Sequence, residues 1–172
     1  MHAMKIYCAA ALVAFGVSDA LAQQKMKVSY KVSADSSKYT QRQVIDVGDE
    51  PGHTVGIFEI HRTFGADAPI IAGSKVKETW TRGYSDYVTN NNGLSTNYTT
   101  YVLDSGDRFT SYSNTMGQAD ADGKRTTTGV GKILGGTGKL AGIRGMVRSQ
   151  GISDGKRGFN ETSTEIEYWM AK

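Results

Sequence analysis

The 172-residue chain carries 20 Lys and Arg against 17 Asp and Glu, a formal net charge of +3, with the basic residues scattered along it. A nucleic-acid binder needs a basic stripe with interleaved aromatics, and a membrane-surface helix needs a basic amphipathic run; neither pattern is present, so both classes are set aside. With 21 Gly, nine Tyr and two Pro, the composition suits a β protein with many tight turns.

Residues 1–22 read as a secretory signal peptide. Lys5 supplies the positive start, and Ile6 to Val17 is an apolar run too short to span a bilayer. Ala20-Leu21-Ala22 is a small-x-small cleavage site, so the mature chain is expected to begin near Gln23 and to be periplasmic or secreted. Cys8, the single cysteine, falls inside the removed segment, which leaves no disulfide and no thiolate metal site. No later apolar run approaches membrane-spanning length, so no membrane insertion follows removal of the signal. The remainder, 23–172, is long enough for one domain with one core.

The strand rhythm is regular. Met26 to Ser33 alternates, with Met26, Val28, Tyr30 and Val32 on one face. A turn at Asp49-Glu50-Pro51-Gly52 leads into a long strand from His53 to Phe64, with Phe58, Ile60 and Phe64 on one face. Ala66 to Gly73 reads as a loop marked by Pro69. Lys75 to Thr89 alternates again, and Asn90-Asn91-Asn92-Gly93 turns into Asn97 to Leu103. Arg108 to Ser113, Lys124 to Leu134, Ile143 to Ile152 and Arg157 to Met170 follow, separated by Asp- and Gly-rich turns. No helical periodicity interrupts them. The expected fold is all-β, a single eight-stranded antiparallel up-and-down β-barrel, in which closure removes the edge-strand problem. About eight strands enclose an interior that either packs shut or holds one small ligand.

Chemistry-bearing residues are few. His53 and His61 stand eight positions apart with no carboxylate cluster beside them, so no metal site is expected, and no cofactor motif is complete. The most suggestive set is Val76, Glu78, Trp80 and Arg82, which share one face of a regular strand. If that face points inward, Glu78 is a candidate catalytic acid–base group beside a cavity, and Trp80 and Arg82 are candidate ligand contacts. If it points outward, Glu78 and Arg82 form a solvated pair of little energetic weight. Tyr101 and Tyr112 on neighbouring strands could offer hydroxyls to a cavity or pack across the sheet. Arg148 is a further candidate, on a face shared with Arg144, Met146 and Gln150. On the last strand, Glu161, Glu165 and Glu167 read as solvent-facing, with Thr162, Thr164, Ile166, Tyr168 and Met170 turned inward.

Seven glycines fall between Gly129 and Gly145, a density incompatible with a helix. Gly138-Lys139 is followed by Leu140 where a phosphate-binding loop needs Ser or Thr. Gly136-Thr137-Gly138-Lys139-Leu140-Ala141 matches a loose dinucleotide fingerprint, but no helix follows to receive a pyrophosphate. The stretch Gly136-Thr137-Gly138-Lys139-Leu140-Ala141-Gly142-Ile143-Arg144-Gly145 instead resembles the G-T-G-x-[aromatic or aliphatic]-x-x-x-x-G segment shared by dirigent proteins and the allene oxide cyclase family. It is most similar to bacterial exported members of the allene-oxide-cyclase-like group. The resemblance runs from about Thr126 to Tyr168 and implies an eight-stranded barrel of lipocalin-like, calycin shape with a ligand-sized cavity. Gly136, Gly138, Gly142 and Gly145 are its structural residues. No catalytic residue carries over, because the shared motif shapes backbone only.

Three functions fit. The chain is an exported barrel that binds a hydrophobic or aromatic small molecule. Or it is a cyclase or isomerase acting by confinement and one acid–base group. Or it is a structural or interaction module with a closed core, assembled as a homo-oligomer through exposed apolar positions. An inward-facing Glu78 and Arg82 beside an open cavity would favour the first two.

Overall fold

The structure is a computed structural model that describes residues 24–88, 92–154 and 159–171. The segment read as a signal peptide lies outside the described residues. The strands are β1 (Met26–Ser33), β2 (Ser37–Asp46), β3 (Thr54–Thr63), β4 (Ile70–Ile71), β5 (Ser74–Val88), β6 (Asn92–Leu103), β7 (Arg108–Ala119), β8 (Lys124–Gly136), β9 (Ile143–Asp154) and β10 (Phe159–Met170). All pairings are antiparallel, and the sheet runs β1-β10-β9-β8-β7-β6-β5-β3-β2, with β4 paired only to β5.

The two ends of that path, β1 and β2, are joined in sequence by a single 3-10 turn, Ala34–Ser36. They are the two halves of one bent strand: the first half bonds to β10 and the second to β3. Counting them as one and leaving aside the two-residue β4 gives the eight strands of the expected up-and-down barrel. Phe64, just beyond β3, packs edge-on against Tyr30 of β1 at 5.7 Å between ring centroids, so side chains meet across the seam.

β2 was not legible in the sequence. Its residues after Ser37 are exposed on both faces, so no apolar period marks the segment. Several other strands run further than the alternation predicts, because hairpin pairing continues past the last buried apolar side chain. Examples are β7, which extends to Ala119, and β6, which begins at Asn92. The expected turn at Asp154-Gly155 falls partly outside the described residues.

The interior has two unlike halves. In one, Ile71, Val76, Leu103, Phe109, Leu140, Ile143, Ile166 and Tyr168 are buried together. Burying each such side chain stabilises the fold by about 1.5–3 kcal/mol. The 66–73 segment, expected to be a plain loop, folds over this end. Ile71 is fully buried there, and the Ala72 amide donates a 2.8 Å hydrogen bond to the Tyr168 hydroxyl. The other half is lined by hydroxyl groups.

The glycine stretch makes the β8–β9 connection. A short 3-10 turn at Gly138–Leu140 drops Leu140 into the apolar end. Gly138 has φ +53, and a Cβ there would meet the Asp107 carboxylate. At Gly145 the backbone of β10 comes so close that a Cβ would strike the Glu167 carbonyl oxygen.

Candidate ligand cavity

The polar half of the barrel encloses a cavity of about 120 Å3. Serine and threonine side chains from β5, β6, β7, β9 and β10 supply most of its wall, and among the described residues the lining holds no carboxylate. Two of the hydroxyls bond to each other: Thr81 Oγ1 lies 3.0 Å from Thr99 Oγ1. Asn97 is less well satisfied. Its Nδ2 donates weakly to Ser95 Oγ and Thr115 Oγ1 at 3.4 and 3.3 Å, while its buried Oδ1 has no hydrogen-bond partner among the described residues. Leaving a buried acceptor unmet costs about 1–3 kcal/mol.

Three further residues give the cavity its chemistry. Tyr101, on β6, is buried where the two halves meet. Its ring stacks on Phe109 at 4.3 Å and 4°, and its hydroxyl meets those of Tyr30 and Ser111. Burial pushes the Tyr101 phenol well above its ordinary pKa, and burial likewise raises Tyr30. Both are therefore neutral hydroxyl groups at physiological pH. Arg62, on β3, projects into the same space. Its Nε donates to Ser37 Oγ at 2.8 Å, and among the described residues it forms no ion pair. Burial holds its pKa below the ordinary guanidinium value, yet Arg stays charged.

Of the residues singled out in the sequence, Tyr101 lines this cavity and the others do not. Glu78, Trp80 and Arg82 lie on the outer face of the wall. Glu78 Oε2 is 2.9 Å from His61 Nε2, and that hydrogen bond holds the carboxyl below its ordinary range. Trp80 stacks on His61 at 4.1 Å and 16°. The Arg82 guanidinium lies 5.5 Å from the Trp80 ring centroid and donates to Glu59 at 2.7 Å. Tyr112 pairs with Tyr98 outside the barrel at 5.1 Å, and Arg148 reaches Glu165 at 3.3 Å on the outer surface. The structure thus brings Glu78, Trp80 and Arg82 together, but away from the cavity.

Arg62, Tyr30 and Asn97 were missed as site residues. A signal for Arg62 was present: it occupies the position between Ile60 and Phe64 on the face read as apolar, and a charge in such a row marks an interior polar site.

No protein-family model matches the sequence, and no curated protein matches it. Solved structures do match by shape. One pterocarpan synthase dirigent protein is 15% identical over 98% of this chain and 100% of its own, with a TM-score of 0.49. A second is 14% identical over 87% and 97%, with a TM-score of 0.50. A pyocyanin demethylase is 18% identical over 84% and 99%, with a TM-score of 0.39. At such identities the likeness concerns fold alone. The match at a TM-score of 0.50, together with the eight-strand count and the glycine connection, gives one conclusion: this chain folds as a dirigent-like β-barrel.

Proposed function

We propose that this chain is an exported small-molecule-binding barrel whose ligand occupies the polar half of the interior. One observation carries the reading. Half of the core is densely apolar, while the other half keeps a cavity walled by hydroxyl groups, with an acceptor, Asn97 Oδ1, that no group among the described residues meets. A barrel serving stability alone gains nothing from that arrangement, since interiors otherwise pack to crystal density. Ligand sites combine enclosed space with a few fixed polar groups. The dirigent and demethylase neighbours are named for acting on small organic molecules, which is compatible with such a role here. The hydroxyl-rich wall favours a ligand with polar substituents over a purely hydrocarbon one.

A cyclase acting through Glu78 finds no support, because that carboxylate is on the opposite face of the wall. The outer surface does show exposed Ile57, Tyr84, Leu94, Tyr98 and Met116 on neighbouring strands, which favours self-assembly as a second property.

Native mass spectrometry of the protein purified from its own periplasm tests the proposal. The expected spectrum shows an extra mass lost on denaturation, or gained on exposure to small polar aromatics. A bare mass that no compound in such a panel changes would overturn it in favour of a closed structural module. The same spectrum reports the number of copies.

A further inference from the structure

We propose that the ligand is a small organic anion, that it reaches the cavity through the seam between β1/β10 and β2/β3, and that Arg62 holds its charge. This rests on reading the interior as a ligand site.

Three features of the structure support it. The first is charge. Arg62 is a cation facing a cavity whose lining, among the described residues, has no carboxylate, and among those residues Ser37 is its hydrogen-bond partner. Arg62 is half-buried, so an anion that displaces its remaining water gives the charge a partner, and a guanidinium presents a donor fork shaped for a carboxylate. The second is the neighbourhood. Tyr30 and Tyr101 put neutral phenol hydroxyls on the same space, so the groups around Arg62 can donate to an anion and none repels it. The third is access. A cleft of about 220 Å3 lies at the seam, lined by Val32, Ser37, Tyr39, Ile60 and Asn160 among others, and it shares Arg62 and Thr162 with the cavity. Arg62 therefore stands where the cleft meets the interior. Arg42, whose guanidinium lies 5.6 Å from the ring centroid of cleft-lining Tyr39, adds a second cation beside the opening. A cavity of about 150 Å3 accepts a benzene ring; the 120 Å3 cavity and the 220 Å3 cleft that adjoins it at Arg62 together make a single-ring carboxylate a fitting probe.

The test is calorimetric titration of the purified protein with benzoate, benzyl alcohol and benzylamine, which share a ring and differ in charge. Benzoate is expected to bind at least tenfold more tightly than benzyl alcohol and benzylamine most weakly. In Arg62→Met the preference for benzoate should fall below twofold while benzyl alcohol binding is retained. If that variant does not fold, the Arg62 Nε–Hε resonance of the unmodified protein decides: benzoate shifts it and benzyl alcohol does not. Asn160→Trp, at the seam, should slow benzoate association at least fivefold. An unchanged rate would overturn the access route. Equal affinity for benzoate and benzyl alcohol would overturn the anionic class and leave the ligand-cavity reading standing. No binding of benzoate would overturn the proposal too, and the native spectrum would then decide whether the cavity is a ligand site at all.

Discussion

Val76 and Glu78 are two residues apart on β5, yet they point to opposite faces of the barrel wall. Val76 is fully buried inside, and Glu78 is bonded to His61 outside. The cause is a bulge. Val76 pairs with Leu103 and Glu78 with Val102, so two steps on β5 oppose one step on β6. One extra residue flips every later side chain to the other face. Thr79 and Thr81 thereby turn inward, and Trp80 and Arg82 turn outward.

From that relationship, Glu78→Gln and Trp80→Ala should leave ligand binding by the cavity unchanged within twofold. Glu78→Gln should cost under about 1 kcal/mol of stability, since a partly exposed hydrogen-bonded pair of side chains contributes little. Titration of both variants with the ligand found by mass spectrometry checks this. A tenfold loss of affinity in either would contradict the outward placement.

Phe109→Ala removes a fully buried ring and the stacking partner of Tyr101. The expected loss is about 3–5 kcal/mol, read as a lower urea midpoint. A loss under 1 kcal/mol would mean that the apolar end is not the packed half of the barrel.

Gly145→Ala should destabilise by about 1–3 kcal/mol through overpacking, because the new methyl meets the Glu167 carbonyl. Gly65→Ala provides the contrast: nothing lies within 4 Å of a Cβ there and its backbone is not left-handed. That variant should be neutral or slightly stabilising, since it restricts the unfolded chain. Equal effects of the two would show that strand proximity at β9–β10 is not what the glycine serves.

Asn97→Leu removes the unmet acceptor and fills cavity space. It is expected to raise stability by about 1 kcal/mol and to abolish ligand binding, the trade expected where a site is held open for function. Thermal unfolding and titration of the same sample would separate the two effects. Destabilisation by more than 1 kcal/mol would mean that the weak Asn97 donor contacts matter more than the orphaned acceptor.

His53 lies between two carboxylates, with Nδ1 2.6 Å from Asp49 and Nε2 2.9 Å from Asp86. The hydrogen bond to Asp86, then that to Asp49, raises its pKa above the ordinary histidine value. A raised folded-state pKa means that the stabilisation is fully present below the unfolded value of about 6.5. It is lost as pH rises through the folded value. An NMR titration should place the His53 midpoint above the ordinary value, and Asp86→Asn should bring it down. A midpoint at or below the ordinary value would show that the bridge between the β2–β3 connection and β5 does not hold in solution.

Much of the fold is legible along the chain. The alternation of Met26, Val28, Tyr30 and Val32, and that of Thr162, Thr164, Ile166 and Tyr168, places those side chains inward as observed. The reason is local: a strand with one face on a core must repeat every two residues. Turn residues then space the hairpins, and the glycines after Gly129 exclude a helix. These features determine an all-β antiparallel chain without reference to any distant contact.

The site was decided by tertiary structure. Whether Glu78 or Thr79 faces inward depends on one bulge that β6 imposes on β5, and no period within β5 records it. Arg62 becomes a cavity residue only because the bent first strand brings β1 and β10 round to β3, placing Tyr30 and Thr162 beside a side chain more than 30 positions from one and about 100 from the other in sequence. Periodicity reports the direction of a side chain relative to its own strand. The partner it meets across the barrel is set by register and closure, which are properties of the whole sheet.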